Sequence, residues 1–153
     1  MTRFEDLLET DGRLVYRTKG TSMEPMLRQN RDLVIIEASS SRLKKYDVAL
    51  YRRGEQYVLH RVIGIANDHY RIRGDNTYSI EHVPFDAVIG VLKSFQRKGK
   101  THTVTERGYR LYVRFWNVVY PLRSMWFFMI RGLKRIAKKL GLTPFLKKLL
   151  GRG

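Results

Sequence analysis

The sequence predicts a mainly β domain followed by a basic, amphipathic helical appendage, and three observations lead there. Short runs rich in Val, Ile and Tyr, separated by turn residues, recur between about residues 14 and 95, the pattern of an all-β barrel or folded sheet. From 97 onward the polar residues return at helical steps instead. The charge divides at the same place. Residues 1–96 hold 15 Lys+Arg and 13 Asp+Glu, a net +2, whereas residues 97–153 hold 15 Lys+Arg and only Glu106, a net +14. The expected organisation is therefore a β-rich domain over 1–96 and a basic amphipathic helical tail over 97–153.

Each element has its own signal. Phe4–Glu9 reads as a short helix stopped near Asp11-Gly12, and Leu14–Thr18 as a strand leading into a turn at Ser22. Asp32–Glu37 is a buried strand by its β-branched content. Asp47–Arg52 and Gln56–Ile65 flank Arg53-Gly54-Glu55, a hairpin signal. Asn67-Asp68 turns the chain into a strand over His69–Arg73, Gly74-Asp75-Asn76 turns it again, and Ala87–Phe95 reads as the last strand. Arg97–Lys100 is a basic turn into a long helix. One face of that helix carries Arg110, Arg114, Asn117, Pro121, Ser124, Arg131, Arg135 and Lys138. Leu111, Tyr112, Phe115, Trp116, Val119, Trp126 and Leu133 are assigned to the other face. Pro121 should kink or split the helix, because it lacks an N–H and clashes with the preceding turn. Gly141 should cap it, and Thr143-Pro144 should begin a second short helix carrying Lys147-Lys148.

Composition excludes several classes of chemistry. The 153-residue chain has no cysteine, so it can form neither disulfides nor thiolate sites. Its four histidines show no metal-ligand spacing. No metal or cofactor is expected. The stretch Met1–Glu9 is acidic without an apolar core and does not read as a signal peptide. Phe115–Ile130 is the nearest approach to a spanning segment, and Asn117, Pro121 and Arg123 interrupt it.

The candidate site begins at Gly20-Thr21-Ser22-Met23-Glu24-Pro25-Met26-Leu27. Gly20 can take a positive φ and Pro25 fixes its own, so a single hydroxyl is held on a constrained turn. Most serines in such turns are simply surface residues, and most strand histidines are structural. His60, however, lies in a β-like run where alternation puts it on one face with Val58 and Val62, shielded enough to stay neutral and act as a base. Asp75 is a good turn former and Glu81 an ordinary loop charge, yet either could orient the imidazole. Ser22, His60, and Asp75 or Glu81 are the parts of a hydroxyl nucleophile with its base and acid. The Ser22 N–H and Thr21 are candidate oxyanion donors.

These stretches resemble the signal peptidase I family of membrane-associated serine endopeptidases, in the archaeal and endoplasmic-reticulum form with a histidine base. Ser22–Leu27 is similar to the nucleophile box, Tyr46–Arg52 to the strand before the base, and His60–Gly64 to the base box. Gly74-Asp75-Asn76 resembles the acidic box and Val88–Val91 the closing strand, with the second acidic position falling on Glu81. The resemblance covers roughly residues 14–95. It implies a folded β-sheet barrel core, shared with LexA-like self-cleaving repressors, and cleavage of leader or signal-type segments from precursor peptides after small side chains. The chain departs from the pattern at Arg31-Asp32, where Gly-Asp is usual, at Gly20, where a hydroxyl is usual, and in having glutamate as the second acid. The family's N-terminal membrane anchor is not seen. The repressor reading is weaker, because those proteins use lysine and cut an Ala-Gly bond that this chain lacks.

The tail adds a second expectation. Trp116 and Trp126 favour the headgroup level of a membrane, and Arg131, Lys134, Arg135, Lys138 and Lys139 would meet anionic lipid. Peripheral membrane or cytoplasmic placement in a prokaryote is expected, with a precursor peptide or protein as substrate. Nucleic acid is the weaker partner for the charge, since no recognised binding motif is present. The alternative to an enzyme is an inactive peptidase-like module that binds membrane or nucleic acid through this tail.

Overall fold

The computed structural model describes residues 3–39 and 41–139. The Thr143-Pro144 helix, its Lys147-Lys148 pair and the Gly141 cap lie outside the described residues. The chain divides into two units, Met1–Val113 and Arg114–Gly153.

The first unit is mainly antiparallel β. Helix α1 (Phe4–Asp11) is followed by β1 (Arg13–Arg17), β2 (Leu33–Ala38), β3 (Val48–Arg53), β4 (Gln56–Ile65), β5 (His69–Arg73) and β6 (Glu81–Pro84), then β7 (Val88–Arg97) and β8 (Lys100–Thr103). The sheet runs β1-β2-β7-β3-β4-β5-β6, with β8 also on β7. It is not closed: β1 and β6 end the path. One edge of β7 pairs with β2, and the other is shared by β3 at Val88–Val91 and β8 at Ser94–Arg97. Register shifts at Ile35/Ile36, Leu50/Tyr51 and Val62/Gly64 mark irregularities of the kind that bend a sheet.

The sheet buries both faces, and alternation assigns each residue to one of them. Val48, Leu50 and Leu59 pack with Leu8, Met23, Met26, Leu27, Val34, Ile36, Leu92 and Phe95. Ala49, Tyr51 and Val62 pack on the opposite side with Leu43, Tyr70, Ile72, Val83 and Val91. His60 pairs with Ala49 and therefore shares the second face, whereas Arg61 pairs with Val48 and shares the first. This one-residue step in β4 sends imidazole and guanidinium into different surroundings.

The sheet does not stop at residue 96, where a domain boundary was expected. Residue 96 lies inside β7, and Lys98-Gly99, both at positive φ, turn the chain into β8. Helix α2 (Arg107–Val118) follows, and α3 (Tyr120–Lys139) starts after a break at Val119. Pro121 falls in the first turn of α3, where its missing N–H costs nothing. The expected single apolar face of α2 is in fact two. Tyr109 and Tyr112 pack on the first core cluster and Val113 is buried, while Leu111, Phe115 and Val118 are exposed.

Candidate active site

The Ser22 turn is anchored from below. Met23, Met26 and Leu27 are buried in the first core cluster, and the Leu27 N–H donates to the Met23 carbonyl at 3.0 Å. Thr18 and Asp32 close the loop at its base. The Asn30 N–H donates to the Thr18 carbonyl, and the Thr18 N–H to that of Asp32. Asp32 is fully buried and accepts from the Arg28 N–H at 2.9 Å and from two nitrogens of Arg31 at 2.6 and 2.8 Å. Burial acts against its charge, but the Arg31 guanidinium and the Arg28 N–H outweigh it and hold the carboxyl below its usual range. Arg31-Asp32 thus braces the loop that presents the serine. Gly20 has φ 79°. Thr21 is exposed at the rim, and its carbonyl accepts from the Glu24 N–H and from Asn76 Nδ2.

His60 on β4 is buried, with 5% of its surface exposed. Its Nδ1 lies 3.2 Å from Glu81 Oε1 and 3.3 Å from the Tyr51 hydroxyl. The other Glu81 oxygen accepts from Arg53 Nη1 at 3.1 Å. Burial pushes the ring below the ordinary imidazole value. The Glu81 charge opposes this and the Arg53 charge adds to it. The ring is therefore neutral near pH 7, and a proton on Nδ1 shared with Glu81 leaves the Nε2 lone pair free as an acceptor. Tyr51 is held protonated, first by burial and then by Glu81.

Gly74 joins the two halves. A Cβ built there would lie 2.6 Å from the Ser22 carbonyl oxygen and 3.1 Å from His60 Nε2. The serine backbone and the free side of the imidazole thus flank a single point on the Gly74 backbone. The Asn76 N–H donates to the Ser22 carbonyl at 2.8 Å and locks this arrangement. Among the described residues no hydrogen bond joins the Ser22 hydroxyl to the ring.

Two carboxylates were open as the acid, and the geometry separates them. Glu81, at the start of β6, reaches His60 Nδ1. Asp75 does not. It pairs with Arg61 Nε and Nη2 at 2.7 Å each and accepts from the Tyr112 hydroxyl at 3.2 Å. Arg61 also donates to the Tyr46 carbonyl and to the Tyr109 hydroxyl, each at 3.0 Å. Burial acts against the charge of Arg61, but Asp75 outweighs it and holds the guanidinium above its ordinary range. Asp75 therefore anchors the Gly74 loop, and sequence reasoning did not anticipate Tyr51, Arg53, Arg61, Tyr109 or Tyr112 around the site. Strand alternation carried part of this signal, since Arg61 must face away from His60.

Trp126, Arg131, Lys134, Arg135, Lys138 and Lys139 are exposed on α3, whereas Trp116 is partly buried, with Arg123 3.7 Å above its ring. Among the described residues no group of three or more His, Asp or Glu is placed to hold a metal ion. No protein-family model matches the chain, and no curated protein matches it either.

Proposed function

We propose that this protein is a serine endopeptidase similar to the signal peptidases, built on their folded β core, and that it removes leader or signal-type segments from precursor peptides. The observation that carries the reading is His60: its Nδ1 is held by Glu81, while its Nε2 and the Ser22 carbonyl both lie close beside Gly74. In this reading Nε2 takes the proton from Ser22 Oγ as that oxygen attacks the scissile carbonyl. The carbonyl C–N bond then breaks, and the imidazolium returns its proton to the leaving amine. Water, deprotonated by the same nitrogen, hydrolyses the acyl-enzyme. Glu81 fixes the tautomer and stabilises the imidazolium, with Tyr51 and Arg53 holding Glu81 in turn. The Ser22 N–H, with Thr21 at the rim, supplies the oxyanion donors. The substrate lies extended against a strand edge, which gives main-chain affinity and pockets for alternate side chains.

The test is covalent labelling with a serine-reactive acylating or phosphonate probe, with the site read by mass spectrometry, alongside cleavage of a leader-type peptide. Label on Ser22 that vanishes in His60→Ala, with cleavage lost in Ser22→Ala, is the expected result. A labelling pattern indifferent to both residues would leave an inactive peptidase-like module instead.

A further inference from the structure

The second unit presents a surface that the peptidase reading leaves unused. Residues 114–139 contain seven Lys or Arg and no Asp or Glu. On α3 the helical period gathers Leu122, Met125, Trp126, Met129, Leu133 and Ile136 on one side. All six are exposed, from 47% at Met129 to 66% at Met125. The opposite side carries Arg131, Lys134, Arg135 and Lys138, all exposed as well. A stripe of large apolar side chains this long is seldom left in water. Helix α2 adds a second observation. Its last turns lie in the second unit, where Phe115 and Val118 stand 63% and 75% exposed.

We infer that α3, together with Phe115 and Val118 at the end of α2, is an in-plane binding element for an anionic lipid surface. Three features favour lipid over other occupants. No helix among the described residues is long and apolar enough to cross a membrane, so α3 suits the interface rather than the interior. Its charge is of one sign throughout, which would set two copies of the face against each other but complements acidic headgroups. Trp126 lies within the apolar stripe, and the long Lys and Arg stems can lie along the acyl boundary with their charges at headgroup level. Duplex nucleic acid would use the basic side and leave the apolar one in water.

The experiment uses the full chain with vesicles of phosphatidylcholine alone and of phosphatidylcholine mixed with phosphatidylglycerol, read by co-sedimentation and by tryptophan emission. Binding to the mixed vesicles should exceed binding to the neutral ones by at least about tenfold, weaken as salt is raised, and shift the emission to the blue. Trp126→Glu with Met129→Glu should abolish binding, and Lys134→Glu with Lys138→Glu should weaken it by at least about tenfold while circular dichroism is unchanged. Equal binding to both vesicle types overturns the proposal. So does self-association that buries Trp126 without vesicle binding, or tighter binding to duplex DNA than to the mixed vesicles at the same salt.

Discussion

Replacing Gly74 by alanine tests the site at its narrowest point. The added methyl carbon would lie 2.6 Å from the Ser22 carbonyl oxygen and 3.1 Å from both Cδ2 and Nε2 of His60. A carbon resting against a carbonyl oxygen needs about 3.3 Å, so one side must give by about 0.7 Å. Neither side yields freely. The Ser22 carbonyl is tied to the Asn76 N–H, and the loop is pinned by the Asp75–Arg61 pair. Overpacking of this kind costs about 1–3 kcal/mol of stability. The same displacement moves the serine turn relative to the imidazole, and a misplacement near an ångström costs about a hundredfold in rate. The assay is kcat/KM on a leader-type peptide beside urea denaturation of the same preparation. A fall of about 10–100-fold in kcat/KM, larger than the stability loss explains at the assay temperature, is expected. Rates within about twofold of the parent would refute the claim that Gly74 sets the spacing of Ser22 and His60.

The two acids should separate by kind of damage. Asp75→Asn leaves buried Arg61 without its counter-charge and should cost about 3–5 kcal/mol in chemical denaturation, whereas Glu81→Gln should keep the fold and lower kcat by about 10²–10⁴. Because burial lowers the His60 value, the acid limb of kcat/KM should fall below the ordinary imidazole value of about 6.5. The same depressed value makes His60's contribution to stability complete above about pH 6.5 and lost as pH drops through the folded value. Arg53→Gln removes a charge that lowers the His60 value and should move the acid limb upward in pH, while Glu81→Gln should move it further down. Shifts of the opposite signs would show that the ring titrating in the assay is not held as described.

Much of the β domain was legible, because its strands carry strong alternation or β-branched runs. Gly54 turns the β3–β4 hairpin and Gly12 ends α1, both at positive φ. The two missed strands lack such signals. Lys100–Thr103 is polar throughout, and Glu81–Pro84 mixes a charge, a histidine and a proline, which fits an edge strand but announces nothing. Helix α2 was legible as a helix but not in its facing, because aromatic and aliphatic residues lie on both sides and only tertiary contact selects Tyr109 and Tyr112 as inward. Ser22 and His60 stood out through their constrained turn and their strand. The division of the two carboxylates did not, because the partner of Asp75 is Arg61, which adjoins His60 in sequence yet points to the opposite core.

Glu81 opens β6, a strand of four residues that ends the sheet and pairs only with β5. The group that holds the imidazole in register thus rides on a short edge strand, while serine and histidine rest on well-buried foundations. Opening of this margin would release the ring without unfolding the domain, so on the proposed reading activity should fade at a lower denaturant concentration than the fold does. Amide exchange along 81–83 should run ahead of exchange in β4, and whatever clamps that border would hold the imidazole more firmly from outside it.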